Sequence, residues 1–164
     1  MKPHYVLLIL IMLTASCGFH LRGSQTATVT GISSIAITNT SASETASAVT
    51  AQLQASGSTI VTGADKPEYS LQLSDQIINK SVLSVSPITG KVTEYQLTLT
   101  VNMSVTDANQ TGLLTGQSIR VTRDYTFDDS AVLGSVADQH KIEQEMIQQA
   151  ASQIVRRLGA LVQK

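Results

Sequence analysis

Between residues 95 and 106, apolar and polar side chains alternate without a break. Tyr95, Leu97, Leu99, Val101, Met103 and Val105 take one set of positions, and Gln96, Thr98, Thr100, Asn102, Ser104 and Thr106 take the other. A period of two puts every second side chain on one face of a strand, so this stretch predicts one face on a core and one polar face. Tyr69, Leu71 and Leu73 alternate in the same way with Ser70, Gln72 and Ser74, in a strand that can run on through Ile77 and Ile78. Val82, Leu83 and Val85 lead into Pro87-Ile88-Thr89-Gly90, a turn signal. Asp107 to Gly112 reads as a hairpin loop, and Ile119, Val121, Tyr125 and Phe127 continue the pattern in the returning strand, with Arg123 as its exception. After Ser135 the period changes to 3.6, and Ile142, Met146, Ile147, Ala150, Ile154, Leu158 and Leu161 form one helical stripe.

Upstream the signals are shorter. Ile32, Ile35 and Ile37 mark a strand, and Ser41 and Glu44 have the spacing of a capping box. Ala46, Val49 and Leu53 then fall on one face of a short helix that Gly57 ends. Ile60-Val61 is a brief second strand, followed by a turn at Asp65-Lys66-Pro67. The order β-α-β-β-β-β-α predicts an α/β fold: a two-layer sandwich, two helices packed on one face of a mixed, mostly antiparallel sheet of four to five strands. No repeat interrupts residues 31–164, which read as a single domain.

The start of the chain follows a different logic. A lysine at position 2 precedes Tyr5–Leu13, nine apolar residues in a row. A spanning helix needs about 20, so the run is too short to cross a bilayer and has the form of a signal peptide over residues 1–16. Thr14-Ala15-Ser16 leads with small side chains into Cys17, the only cysteine. That placement resembles a bacterial lipobox, in which the cysteine receives lipid on its thiol and becomes the new N-terminus, although Thr14 stands where the usual pattern has leucine. On the residues alone the alternative is an ordinary signal peptide with a buried or reactive Cys17. Gly18 follows the cysteine, not the aspartate that resembles an inner-membrane retention signal, which points to the outer membrane. Residues 17–30, rich in Ser, Thr and Gln, read as lipid anchor and tether.

Composition sharpens this picture in one respect. Only 14% of residues are charged, against roughly 25% in an average soluble domain, while 19 serines, 19 threonines and 14 glutamines fill the gap. An apolar content of 42% still supports a packed core. A net charge of −1 gives no electrostatic case for nucleic acid. One cysteine excludes an internal disulfide framework and a thiolate zinc cluster. Nucleophile-elbow, zinc-protease and dinucleotide motifs are missing, and beyond the signal only His20 and His140 remain as imidazoles. Asp128-Asp129 reads as a polar exit from a strand rather than a catalytic pair. No enzyme and no cofactor beyond the lipid on Cys17 is expected. All four asparagines, Asn39, Asn79, Asn102 and Asn109, stand in N-x-S/T patterns, read here as a consequence of composition.

Three stretches carry a family resemblance. Cys17-Gly18-Phe19-His20-Leu21-Arg22-Gly23 resembles the mature N-terminus of the LptE family, the lipopolysaccharide-assembly lipoproteins of the Gram-negative outer membrane. Thr93 to Asn102 is similar to the family's central strand with its Tyr-Gln pair, and Arg123 to Leu158 to its last strand and C-terminal helix. The resemblance implies a plug and assembly partner inside the large β-barrel LptD, serving lipopolysaccharide delivery to the cell surface from the periplasmic side. Neutral hydrogen-bonding side chains suit a polar barrel lumen. Lipopolysaccharide carries phosphates, so cations are the expected contacts: Lys91 first, then Lys80, Arg120 and Arg123. A periplasmic ligand-binding lipoprotein without a barrel partner is the alternative.

Overall fold

The computed structural model describes residues 31–62 and 66–162; the expected signal peptide, Cys17 and the tether lie outside them. The chain runs β1 (Ser34–Thr40), α1 (Ser43–Ala55), β2 (Thr59–Ile60), β3 (Tyr69–Val85), β4 (Val92–Asp107), β5 (Gly112–Thr126) and α2 (Val132–Val162). The five strands form one sheet in the order β2-β1-β3-β4-β5. β1 pairs in parallel with β2 and β3, whereas β3-β4 and β4-β5 are antiparallel. Both helices pack on the same face, so the expected two-layer sandwich on a mixed, mostly antiparallel sheet is the observed one.

The alternation in β4 explains the layering. Leu97, Leu99, Val101, Met103 and Val105 are almost wholly buried beneath the helices. Burying each removes about 1.5–3 kcal/mol worth of apolar surface from water. From α2, Met146, Ile147, Ala150, Ile154 and Leu158 close onto them, and Val49 and Leu53 arrive from α1. α2 begins at Val132, three residues before Ser135, and Ile142 packs at the edge of the core ahead of the fully buried positions from Met146 onward.

Two local features depart from the sequence reading, and they are linked. β3 carries a bulge in which Ser74 pairs with Asn102 and Ile77 with Thr100, so Asp75 and Gln76 together oppose Val101. Asp75 takes a φ of 55 to make the extra residue fit. Before the bulge Leu71 and Leu73 face the helices; after it Ile78, paired with Leu99, does so, and Ile77 turns outward. The adjacent isoleucines thus serve opposite faces.

The bulge also aims Gln76 at the start of α1, and there the expected Ser41–Glu44 capping box does not form. Ser41 has a φ of 61, and the cap position falls on Ala42, which has no side-chain acceptor. Gln76 Oε1 instead accepts from the Thr45 amide at 3.2 Å and the Thr45 hydroxyl at 2.7 Å. Its Nε2 donates to Glu44 at 2.9 Å. At the other end Gly57, at a φ of 92, closes α1 with bonds from Gly57 N to Gln54 O and Ser58 N to Leu53 O, as the sequence predicts.

Candidate functional site

The sheet face turned away from the helices is polar over most of its length. Across β3, β4 and β5 it presents matched rows: Ser70 beside Thr106, Gln72 beside Ser104, then Ser74, Asn102 and Ser118, then Ile77, Thr100 and Arg120, then Asn79, Thr98 and Thr122. Neighbouring strands lie about 4.8 Å apart and same-face residues of one strand about 6.8 Å, so the rows form a flat lattice of hydroxyls and amides. Two of its carboxylates already have neutral donors, while Glu94, beside Thr126 at one end, is exposed. Gln96 Nε2 reaches Asp124 at 2.9 Å, and Asn102 Nδ2 reaches Asp75 at 3.1 Å. The hydroxyls of Thr98, Thr100 and Thr106 have no side-chain partner among the described residues, and no element covers them there.

The four cations singled out from the sequence do not converge. Arg120 is exposed on the open face, unengaged by any side chain among the described residues. Arg123 pairs with Leu97 and therefore lies on the helix side, where its Nη2 donates to Gln149 of α2 at 2.5 Å. It keeps the parity of Ile119, Val121 and Tyr125 and is their one polar exception, exposed at the sheet edge. Lys80 also pairs with Leu97, and its Nζ donates to Gln139 of α2 at 2.8 Å. Lys91, in the β3-β4 turn, is bound to Asp129 beyond β5. That hydrogen bond, and then the carboxylate's charge, push the exposed Lys91 ammonium above its ordinary range. Cys17 lies outside the described residues.

Sequence reasoning missed the setting of Lys80. Its ammonium sits 4.0 Å from the centre of the Tyr95 ring, with Tyr125 and Phe127 at 5.3 and 5.8 Å. Tyr95 stacks on Tyr125 at 5.8 Å and meets Phe127 edge-on at 5.5 Å. Tyr125 donates its hydroxyl to Gln139, the same amide oxygen that holds Lys80. The bulge was the missing signal, because it alone brings Lys80 to the aromatic face.

Among the described residues the adjacent carboxylates beyond β5 have separate partners. Asp128 accepts from both the amide and the hydroxyl of Ser130, which hold its carboxyl below the ordinary range, while Asp129 is given to Lys91. The described residues contain no group of three or more potential metal ligands and no helix long and apolar enough to cross a membrane.

Comparison with known proteins agrees across sequence and fold. A family model described as LptE, lipopolysaccharide-assembly, matches residues 28–158. A protein of Photorhabdus laumondii named LPS-assembly lipoprotein LptE is 34% identical over 149 residues, covering 90% of this chain and 80% of the relative. One of the same name from Pectobacterium atrosepticum is 33% identical, covering 93% and 82%. Among solved structures, the rare lipoprotein B of Shewanella oneidensis superimposes with a TM-score of 0.68 at 25% identity, over 77% of this chain and 94% of that one. A lipoprotein B of Nitrosomonas europaea gives 0.67 at 27% identity, over 89% and 93%.

Proposed function

Because the chain belongs to the LptE family and so has its role in lipopolysaccharide assembly, we propose that it is an outer-membrane lipoprotein, anchored through Cys17, that plugs and helps assemble an LptD-like β-barrel. The observation that carries this reading is the uncovered lattice of Ser, Thr, Asn and Gln on the open sheet face. A barrel lumen is polar and its side chains need partners. Neutral hydroxyls meet them at a net gain of about 0.5–1.5 kcal/mol per hydrogen bond, without the cost of stripping water from charge. The relatives' names describe lipoproteins of lipopolysaccharide assembly rather than a reaction, which supports a binding role.

Lys91, Lys80, Arg120 and Arg123 are proposed contacts for lipopolysaccharide phosphates. Lys80 and Arg123 donate to glutamine oxygens and keep their positive charge uncompensated by those bonds, and Arg120 stands on the open face. Lys91 would exchange Asp129 for a phosphate.

Affinity purification of the full chain from outer membranes, after gentle detergent extraction, tests the plug. One large barrel should be recovered in near-stoichiometric amount, and Thr100→Glu, which sets a carboxylate in the middle of the open face, should deplete it while leaving the protein folded. Recovery of the protein alone would sink the plug and return the chain to the ligand-binding alternative.

A further inference from the structure

A shallow groove of about 380 Å³ runs between the last turns of α2 and the beginning of β5, lined by Leu114, Gln117, Arg157, Ala160 and Leu161. Apart from Gln117 and the guanidinium of Arg157, every lining residue is aliphatic. Nη1 of Arg157 is buried and, among the described residues, has no hydrogen-bond partner. That nitrogen is out of a ligand's reach, but Arg157 lines the groove and no carboxylate stands beside it in the lining, so the groove wall carries a positive charge without a counter-ion there. Arg156 beside it is exposed and adds a second positive charge.

The groove's place in the fold narrows which anion meets that charge. Leu161 is followed by Val162, and a Cβ built on Gly31 would stand 3.2 Å from Val162 Cγ1. The described domain therefore begins beside the groove. Thirteen residues separate Gly31 from Cys17 and reach at most about 45 Å fully extended. We propose that the groove binds one anionic glycerophospholipid of the leaflet that holds the Cys17 lipid, its phosphate on Arg157 and an acyl chain along Leu114, Ala160 and Leu161. The inference rests on the anchor assigned to Cys17 and adds to it a second, non-covalent hold on the same leaflet. It involves none of the four cations proposed for lipopolysaccharide.

The test uses the lipidated full chain in a non-ionic detergent, titrated with dihexanoyl phosphatidic acid while the amide resonances of Leu114, Gln117 and Ala160 are followed. Saturable shifts are expected at these positions. Arg157→Gln should weaken binding by at least about tenfold, the loss of one charge-assisted bond. Ala160→Glu, a change at an exposed site that leaves the core alone, should abolish it. Dihexanoyl phosphatidylcholine should bind at least about tenfold more weakly than the acid. The proposal is overturned by an absence of saturable shifts, by equal binding of the zwitterionic lipid, or by indifference to Arg157→Gln in a folded variant. Inorganic phosphate producing the same shifts would overturn the lipid as occupant, and a dimer that dissociates with Arg157→Gln would replace it by a second copy. Palmitate labelling reads the anchor separately. An unlabelled Cys17 overturns the anchor while an Arg157-dependent titration still supports the site; a labelled Cys17 without a titration does the reverse.

Discussion

An amide of α1, a buried threonine hydroxyl and a glutamate all meet the side chain of Gln76, which reaches them from another element. Thr45 is fully buried, so its hydroxyl has no water to fall back on. Gln76→Ala would orphan that hydroxyl and a first-turn helix amide together, and the cost should be about 2 kcal/mol. Ser41→Ala, which a capping box would make equally damaging, should cost no more than a few tenths of that, because Ser41 holds no side-chain bond to the helix among the described residues. Urea unfolding of the two variants measures the difference, and equal losses would refute the assignment. The spacing of Ser41 and Glu44 was legible and misleading. What it lacked was the bulge thirty residues on, which no local pattern encodes.

At the scale of elements, α2 is held by two kinds of contact along its length. From Met146 to Leu158 it buries an apolar stripe in the shared core. Over its first three turns Val132 and Val136 stay exposed, and the helix is tied down by Gln139, which takes Lys80 and Tyr125 on its oxygen and gives its Nε2 to Glu143 at 2.7 Å. Polar ties of this kind open more readily than packed core. Gln139→Ala should therefore speed amide hydrogen exchange in the first three turns of α2 and leave residues 146–158 protected; a uniform change along the helix would contradict it. Most of the element order could be read in advance, since β4 and the C-terminal half of α2 are strongly periodic. The beginning of α2 was not legible in the apolar stripe, since Val132 and Val136 stay exposed. The ties of Lys80 and Arg123 to α2 were not legible, because the glutamines they donate to lie 59 and 26 residues along the chain.

For the whole molecule, the shortage of charge becomes a statement about how it associates. An open face made mainly of neutral donors and acceptors, with its few charges of both signs, gains little from long-range attraction, and screening by salt should cost it little. Recovery of the barrel with this chain should hardly change between about 0.1 M and about 1 M salt, across which the Debye length falls from roughly 10 Å to 3 Å. Loss of the complex at high salt would show that the few cations, not the hydroxyls, hold it together. The open face was foreseeable from the alternation of β4; its extent across β5 and the far half of β3 depended on pairing register.

The extra residue in β3 also works as a change of parity along the chain. Up to Leu73 the odd positions are written for the interior, and from Ile78 to Val82 the even ones are, until a second irregularity between Val82 and Ser84 ends that frame. Deleting Asp75 alone would carry every side chain from Gln76 to Val82 to the opposite surface: Ile78 and Lys80 onto the open face, Asn79 and Ser81 toward the aromatic rings. The far half of the strand is thus readable only in one frame, and lengthening or shortening it here is tolerable only in steps of two.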